Sequence, residues 1–447
     1  MRGFCPEVCA RIDAGGRAAA RETGSLDPRR DGGYGRQPLR SFSGGLPGDP
    51  LGGPKGRPLP RPGKRFAEMR IYLDHNATTP LRPEVLVAMT ETLGNAYGNP
   101  SSGHAEGAHA KALVEAARAD VARCLGADPS WVYFTAGASE ANNALLMGLV
   151  SGGGGRLVTS TVEHPSVVEP AARLEKAGMP VTRVPVNADG LLDPEAVFEA
   201  AGSDAVLVSL IWANNETGVV QPMEAIAAGL RARGIPLHVD ATQAVGKWPV
   251  DLGALGADYL SCSAHKLNGP KGSGCLVARE GSPFYPLIAG GPQERRMRGG
   301  TENVAGIVGF GRACALAADE LRERMASYAS LRDRLWEGLC SELGPLRRNG
   351  CAENVLPNTL NVQFPGIPGE ILLQALDLEG VAVSAGAACH SGSISPSHVL
   401  TAMGLAPEEA RSSLRLSLGH GVDVEQVDRA VALFHELVLR IRRAESA

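Results

Sequence analysis

From residue 131 onward, short apolar runs alternate with amphipathic stretches. The runs 132–135, 156–162, 181–186, 205–213, 236–242, 259–263 and 272–278 read as buried strands, largely apolar and bounded by turn residues. Helical patterns begin near residue 138 and cover 165–178 and 222–234, the last closing on a Gly. This alternation predicts an open, largely parallel sheet covered on both faces, with ligands bound beyond the C-terminal ends of its strands. A long helical pattern over 304–343 then leaves the sheet. A smaller α+β segment follows: strands 359–364, 381–384 and 413–418, a helix over 369–377 and an amphipathic last helix from 424. It reads as a second domain hung on the long helix.

Composition divides the chain near residue 68. The first 68 residues carry 14 Gly and 9 Pro, and 13 Lys/Arg against 7 Asp/Glu, whereas the remainder is net acidic. Such a segment buries too little apolar surface to offset its ordering entropy and is expected to be disordered. A start codon placed too early explains it best, because Met69 opens the first strand-like run. A transit peptide and a regulatory tail are the competing readings; the acidic residues and missing apolar periodicity weigh against the former.

Over the whole chain, aromatics are 4% and the net charge is −4, which argues against a base-stacking or polyanion-binding surface. No run of 18 apolar residues offers a membrane span. The nine Cys are irregularly spaced and include no CxxC pair, which suits a reducing, cytoplasmic setting and gives no structural zinc site.

The candidate chemistry lies mostly at strand ends. Lys266, in Ser263-Ala264-His265-Lys266 ahead of a Gly/Pro turn, is a Schiff-base candidate if partly desolvated; alone, it reads more simply as a surface lysine. Asp240 closes a strand where it could hold a cofactor's pyridinium nitrogen protonated, or merely cap a helix. The run Phe134 to Glu140 ends a strand and opens a helix, so Ala138 and Ser139 form a phosphate seat or a capping box. His164 could stack on an aromatic ring, or be a structural histidine. Asn215 could bond a phenolate oxygen, or belong to an Asx turn. Cys389, in a loop of small residues, is either a nucleophile or a buried cysteine. Arg415, set between leucines, requires a planar anion: a substrate carboxylate or a structural ion-pair partner.

Several runs then carry a family resemblance. They are Tyr72-Leu73-Asp74-His75-Asn76-Ala77-Thr78-Thr79-Pro80, Val162-Glu163-His164-Pro165, Ala213-Asn214-Asn215-Glu216-Thr217-Gly218, His238-Val239-Asp240-Ala241-Thr242-Gln243, Ser263-Ala264-His265-Lys266, Gly299-Gly300-Thr301-Glu302-Asn303 and Arg415-Leu416-Ser417-Leu418-Gly419. With them, residues 69–447 resemble the class-V aminotransferases, and within that group the cysteine desulfurases of the nitrogen-fixation and iron–sulfur-cluster type. The resemblance implies a fold-type I α/β enzyme with a large, mainly parallel seven-stranded sheet domain over 83–325. A smaller α+β domain would comprise 69–82 and 326–447 and carry the Cys389 loop.

The cofactor so implied is pyridoxal 5'-phosphate, linked to Lys266, which would also move the substrate Cα proton. Asp240 would pair with the ring nitrogen, Gln243 and Asn215 would contact the phenolate side, and His164 would stack on the ring and assist acid–base steps. Ala138, Ser139, Ser263 and His265 would hold the phosphate, joined by Thr301 from the other subunit of a homodimer. Arg415 and Asn215 would bind the substrate, L-cysteine. Cys389 would attack its sulfur, leaving alanine and a persulfide destined for an iron–sulfur scaffold or other sulfur-acceptor protein. No resident metal is implied, although Cys389 would meet a cluster during transfer.

One departure stands out. Cluster-assembly members often show Ser-Gly-Ser-Ala-Cys-Thr where this chain has Ala385-Gly386-Ala387-Ala388-Cys389-His390. That form also resembles selenocysteine lyases, the alternative reading, while the following Ser393-Ile394-Ser395-Pro396-Ser397-His398 looks more like a desulfurase loop. His390, next to the thiol, could lower the pKa of Cys389.

Overall fold

The computed structural model of the protein describes residues 70–148, 155–385 and 396–445. The leader over 1–68, Cys389 and His390 lie outside the described residues. The strands are β1 (Ile71–Tyr72), β2 (Val132–Thr135), β3 (Arg156–Ser160), β4 (Val181–Val184), β5 (Ala205–Ile211), β6 (Leu237–Asp240), β7 (Tyr259–Ser263), β8 (Gly274–Ala278), β9 (Arg347–Arg348), β10 (Thr359–Gln363), β11 (Val381–Ala382) and β12 (Ser413–Ser417). The helices used below are α1 (Pro83–Asn95), α2 (Ala105–Leu125), α3 (Ala138–Gly148), α4 (Pro165–Lys176), α5 (Met223–Ala232), α6 (Val304–Leu343), α7 (Gly369–Leu378) and α8 (Val424–Glu445).

Seven strands form one sheet in the order β2-β8-β7-β6-β5-β3-β4. Only β8 runs against the others in this sheet, pairing antiparallel with both β2 and β7. The central strands β5, β6 and β7 are parallel and almost wholly buried, as continuous apolar runs require when helices cover both faces. This is the α/β architecture that the alternation predicted. Helices α1 and α2 both pack against α6. The α2–α6 contact is close: a Cβ on Gly311 would lie 2.7 Å from Ala117 Cα.

A second apolar cluster gathers β10, β12, α7, α8 and the distal part of α6, with Phe364 stacked on Phe434 at 5.5 Å. Strands β12-β10-β9 are antiparallel. Ile71 and Leu73 are buried in the same cluster, because β1 pairs in parallel with β11. This pairing delivers the next residues, 74–80, to the C-terminal ends of the large sheet. There the backbone N–H of Thr79 donates to His265 O at 2.9 Å. Among the described residues no helix is long and apolar enough to cross a membrane.

Candidate active site

The C-terminal ends of the parallel strands open into a cavity of about 890 Å³. It gathers Ala138, Ser139, His164, Asn215, Asp240, Gln243, Ser263, His265, Lys266 and Arg415 from stretches far apart in sequence. Of the anticipated residues described, Thr301 alone stands outside this lining, exposed ahead of α6.

Lys266 ends a single 3-10 turn that follows β7 directly. Its Nζ donates to Asn76 O at 2.6 Å and to Ala77 O at 2.8 Å. Burial, reinforced by the Arg415 charge, lowers its pKa to about 8, against the partial opposition of Asp74 and Asp240. An amine with this pKa is appreciably neutral near pH 7–8, as nucleophilic attack on an aldehyde requires.

Asp240 is the last residue of β6 and is 3% exposed. Its Oδ1 accepts the backbone N–H of Thr242 at 3.0 Å, and its Oδ2 accepts Asn142 Nδ2 at 2.9 Å. Asn142 comes from α3, and its Nδ2 also reaches Ser166 Oγ at 2.9 Å. The carboxylate is therefore fixed from two sides while still facing the cavity.

Strand β2 passes through Gly137 into α3, whose N-terminus supplies Ala138 and Ser139 to the cavity lining. Strand β8 crosses so close that a Cβ on Gly274 would lie 2.6 Å from Gly137 Cα, so the seat needs glycine there. Ser263 and His265 flank it from the β7 side. His265 has its pKa lowered to about 4, chiefly by burial and then by Lys266, which makes it a neutral hydrogen-bonding partner at neutral pH. His164 caps α4, its Nδ1 accepting the backbone N–H of Ser166 at 3.1 Å. That bond places any ring proton on Nε2, and burial lowers the pKa.

Arg415, 4% exposed in β12, has the structural partner that its apolar neighbours demanded. Nη2 donates to Asp74 Oδ1 at 2.7 Å and Nη1 to Asn215 O at 3.0 Å. Its Nε is buried with no hydrogen-bond partner. The backbones of Arg415 and Ser384 exchange hydrogen bonds of 2.7 and 3.1 Å, and Ser384 lines the cavity. Ser384 stands five positions ahead of Cys389 in the chain. The chain is anchored again just after it, by Ser397 Oγ on Glu216 Oε2 at 2.5 Å and by His398 Nε2 on Glu163 O at 3.0 Å.

Sequence reasoning assigned no role to Asp74, Asn76 or Asn142. Asn76 is a hub: its Nδ2 reaches Thr359 Oγ1 at 2.9 Å and Asn215 O at 3.2 Å, while its Oδ1 accepts Asn358 Nδ2 at 3.1 Å. The signal available was an uninterrupted polar run, Asp74-His75-Asn76, directly after a strand.

The sequence profile of the class-V aminotransferases matches residues 71–430. The chain belongs to the class-V aminotransferase family. Among its relatives, this member of the family is 41% identical over 375 residues to "Cysteine desulfurase IscS" of Dictyoglomus turgidum, spanning 83% of this chain and 95% of the relative. It is 43% identical to "Cysteine desulfurase" of Enterobacter agglomerans, over 83% of this chain and 93% of that one. Among solved structures, a "NIFS-LIKE PROTEIN" superposes with a TM-score of 0.79 at 38% identity, covering 83% of this chain and all of that one.

The family's cofactor, pyridoxal phosphate, can be tested against the cavity. A buried carboxylate suits a pyridinium N–H, and a helix N-terminus with two hydroxyls and a neutral imidazole suits a phosphate. A lysine of lowered pKa suits the aldehyde. Thr242 Oγ1, on the cavity wall, is buried without a partner. The donor set fits the group. Among the described residues no cluster of His, Cys, Asp and Glu is placed to hold a metal ion.

Proposed function

We propose that this chain is a pyridoxal phosphate-dependent cysteine desulfurase, taking L-cysteine to L-alanine and passing the sulfur on through Cys389. The observation that carries the reading is the convergence of Lys266, Asp240 and Arg415 on one cavity whose wall, at Ser384, leads directly into the segment bearing Cys389. When bound, pyridoxal phosphate supplies an electron sink that labilises the substrate Cα proton.

The protein's own groups supply the rest. Lys266 holds the cofactor's aldehyde carbon and moves the proton at substrate Cα. Asp240 keeps the ring nitrogen protonated, and Asn142 keeps Asp240 in place. Ala138, Ser139, Ser263 and His265 hold the phosphate. His164 covers the ring, and Gln243 with Asn215 faces its oxygen substituent. Arg415 takes the substrate carboxylate. Cys389 attacks the substrate sulfur as a thiolate: an S–S bond forms, the substrate's C–S bond breaks, and Cβ gains a proton to give alanine. The sulfur then leaves for an acceptor thiol, on an iron–sulfur scaffold or another acceptor protein.

The reading includes a cytoplasmic homodimer in which the exposed Thr301 of one copy completes the phosphate site of the other. It also includes a division of the chain into a cofactor domain over 83–325 and a smaller domain of 69–82 with 326–447. The test is a pair of variants. Lys266→Ala should carry no covalently held cofactor, read as the absence of the cofactor's mass on the protein after borohydride reduction. Cys389→Ser should keep the covalent cofactor but release no sulfide from L-cysteine and carry no mass-mapped persulfide. A Lys266→Ala protein that still takes up the cofactor covalently, or a Cys389→Ser protein with full sulfide release, overturns the assignment.

A further inference from the structure

Lys247 is a buried amine to which nothing above gives a role. It lies 5% exposed in the turn after β6, one helical step beyond Gln243. Its Nζ donates to Gln243 Oε1 at 2.7 Å. On the other side of the same amide, Gln243 Nε2 donates to Asn76 O at 2.9 Å. That carbonyl also accepts Lys266 Nζ at 2.6 Å. A continuous chain of three hydrogen bonds therefore runs from Lys247 through Gln243 and Asn76 to Lys266.

Charged or neutral, the Lys247 amine carries N–H groups, and its Nζ is seated to donate to the amide oxygen of Gln243. With the oxygen held, the NH2 group is forced to the cavity side. Without Lys247 the glutamine could flip and present its oxygen there, next to Asn76 O, setting acceptor against acceptor. A small chamber of about 10 Å³ separates Lys247 from Lys266, bordered also by His75, Arg324, Tyr328 and Asn358. Burial is the main cause of the Lys247 pKa falling to about 7, with Lys266 and Arg415 lowering it further and Cys262 opposing, while His75 and His265 feel the Lys247 charge in turn. His75 shares the chamber, with Nδ1 unpartnered and its pKa lowered to about 4 by burial and by Lys247.

We propose that Lys247 is a positioning residue that locks the Gln243 amide with its NH2 toward the cofactor. The inference rests on the reading of Lys266 and Gln243 given above. A donor facing the cofactor's phenolic oxygen favours the oxyanion form, and with it loss of the proton shared with the Lys266 nitrogen. Losing that donor raises the pH midpoint of the cofactor's visible absorption change.

The experiment is a pH titration of that band in holoenzyme carrying Lys247→Met, Gln243→Ala, or both. The expected rise for Lys247→Met is about 0.5–1 pH unit, what one hydrogen bond does to a titration. Gln243→Ala should give a similar rise, and the double variant no more than Gln243→Ala alone. Lys247→Arg, which keeps a donor, should restore most of the native midpoint. If Lys247→Met fails to fold, Lys247→Gln keeps a polar group in the chamber but falls short of Gln243, and should raise the midpoint in the same way. An unchanged midpoint in the Lys247 variants overturns the inference. So does a Lys247→Met shift that persists in full when Gln243 is Ala, since that is the effect of a bare charge. A Gln243→Ala midpoint equal to the native one refutes instead the placement of Gln243 against the cofactor.

Discussion

Asp74 controls both basic groups that the proposed reaction needs, and Asp74→Asn separates their contributions. Its Oδ1 holds Arg415 Nη2 at 2.7 Å, with the two side chains 21% and 5% exposed. Two unit charges about 4 Å apart attract by about 4 kcal/mol at an effective dielectric of ~20. Desolvation cancels part of this, so the pair contributes about 1–3 kcal/mol, between the values for surface and fully buried pairs. In Asp74→Asn, Arg415 keeps the Asn215 carbonyl but is otherwise an unpaired buried cation. The cofactor-free protein should lose about 1–3 kcal/mol in a urea titration. The bound substrate carboxylate then supplies the anion that Asp74 no longer does. The apparent affinity for L-cysteine should rise about tenfold, equivalent to about 1.4 kcal/mol of the released pairing energy. Lys266 should drop further in pKa, since Asp74 is one of the two groups holding it up. Weaker cysteine binding in Asp74→Asn would refute the reasoning, because it would make Asp74 part of the carboxylate site rather than a competitor for Arg415. Unchanged stability would show that the pair contributes nothing.

Other consequences can be checked independently. The rate at which cofactor-free protein captures pyridoxal phosphate should climb with pH to a midpoint near 8, following the neutral amine of Lys266; a rate still climbing above pH 10 would place the lysine in ordinary solvent. The same depression has a stability signature. Between about pH 8 and the ordinary lysine range, the unfolded chain binds the Lys266 proton more tightly than the folded one, so this group's contribution to stability increases as pH rises through that window; a fit to urea titrations of native and Lys266→Met protein should show the difference. Glu294→Ala should cost about 3–5 kcal/mol in denaturant titrations, because it strips Arg118 of a buried bidentate partner at 2.8 and 2.9 Å and the Phe134 N–H of its acceptor; a loss under about 1 kcal/mol would refute it.

The strands of the large sheet were legible because each is a short run of buried apolar residues between turn signals. β2 and β7 match their predicted limits, 132–135 and 259–263. The runs 205–213 and 236–242 overshoot, since pairing in β5 ends at Ile211 and in β6 at Asp240. The overshoot has a physical cause. Trp212, Ala213 and Ala241 stay buried beyond the last ladder position, so hydrophobicity outlasts pairing where loops are themselves covered. Helices α1 and α2 went unread. The buried stripe of α2 includes Gly107, Ala110, Ala117 and Ala122, whose weak contrast with their neighbours blurs the 3.6-residue period. Pro83 at the start of α1, and the His104 cap and left-handed Gly126 at the ends of α2, were the available signals. At the site, strand-end residues such as Asp240 and Lys266 were legible because α/β sheets bind ligands there. Asn76 and Asp74 were not, because they reach Lys266 and Arg415 across 190 and 341 positions of sequence.

The charge arrangement explains why such distant pieces are assembled at one place. Of the carboxylates lining the cavity, Asp74 is paired with Arg415, Glu140 with Arg298, and Asp240 is held by Asn142 and a backbone N–H. Glu163, next to the cavity residue His164, is pushed up to about 8 by burial, so it adds little negative charge at neutral pH. His164 and His265 are likewise kept neutral, with burial the largest cause in both. Facing these neutralised groups are Lys266, Lys271, Arg415 and the positive end of α3. Under the proposed function these groups would serve two anions, the cofactor's phosphate at the α3 N-terminus and the substrate's carboxylate at Arg415, together with the amine of Lys266. Phosphate and aldehyde belong to one cofactor, and the carboxylate to an amino acid. A site for phosphate alone would not need Arg415 buried in β12. Nor would a simple amino-acid binding protein need a lysine whose pKa is held near 8 by burial and by that same arginine.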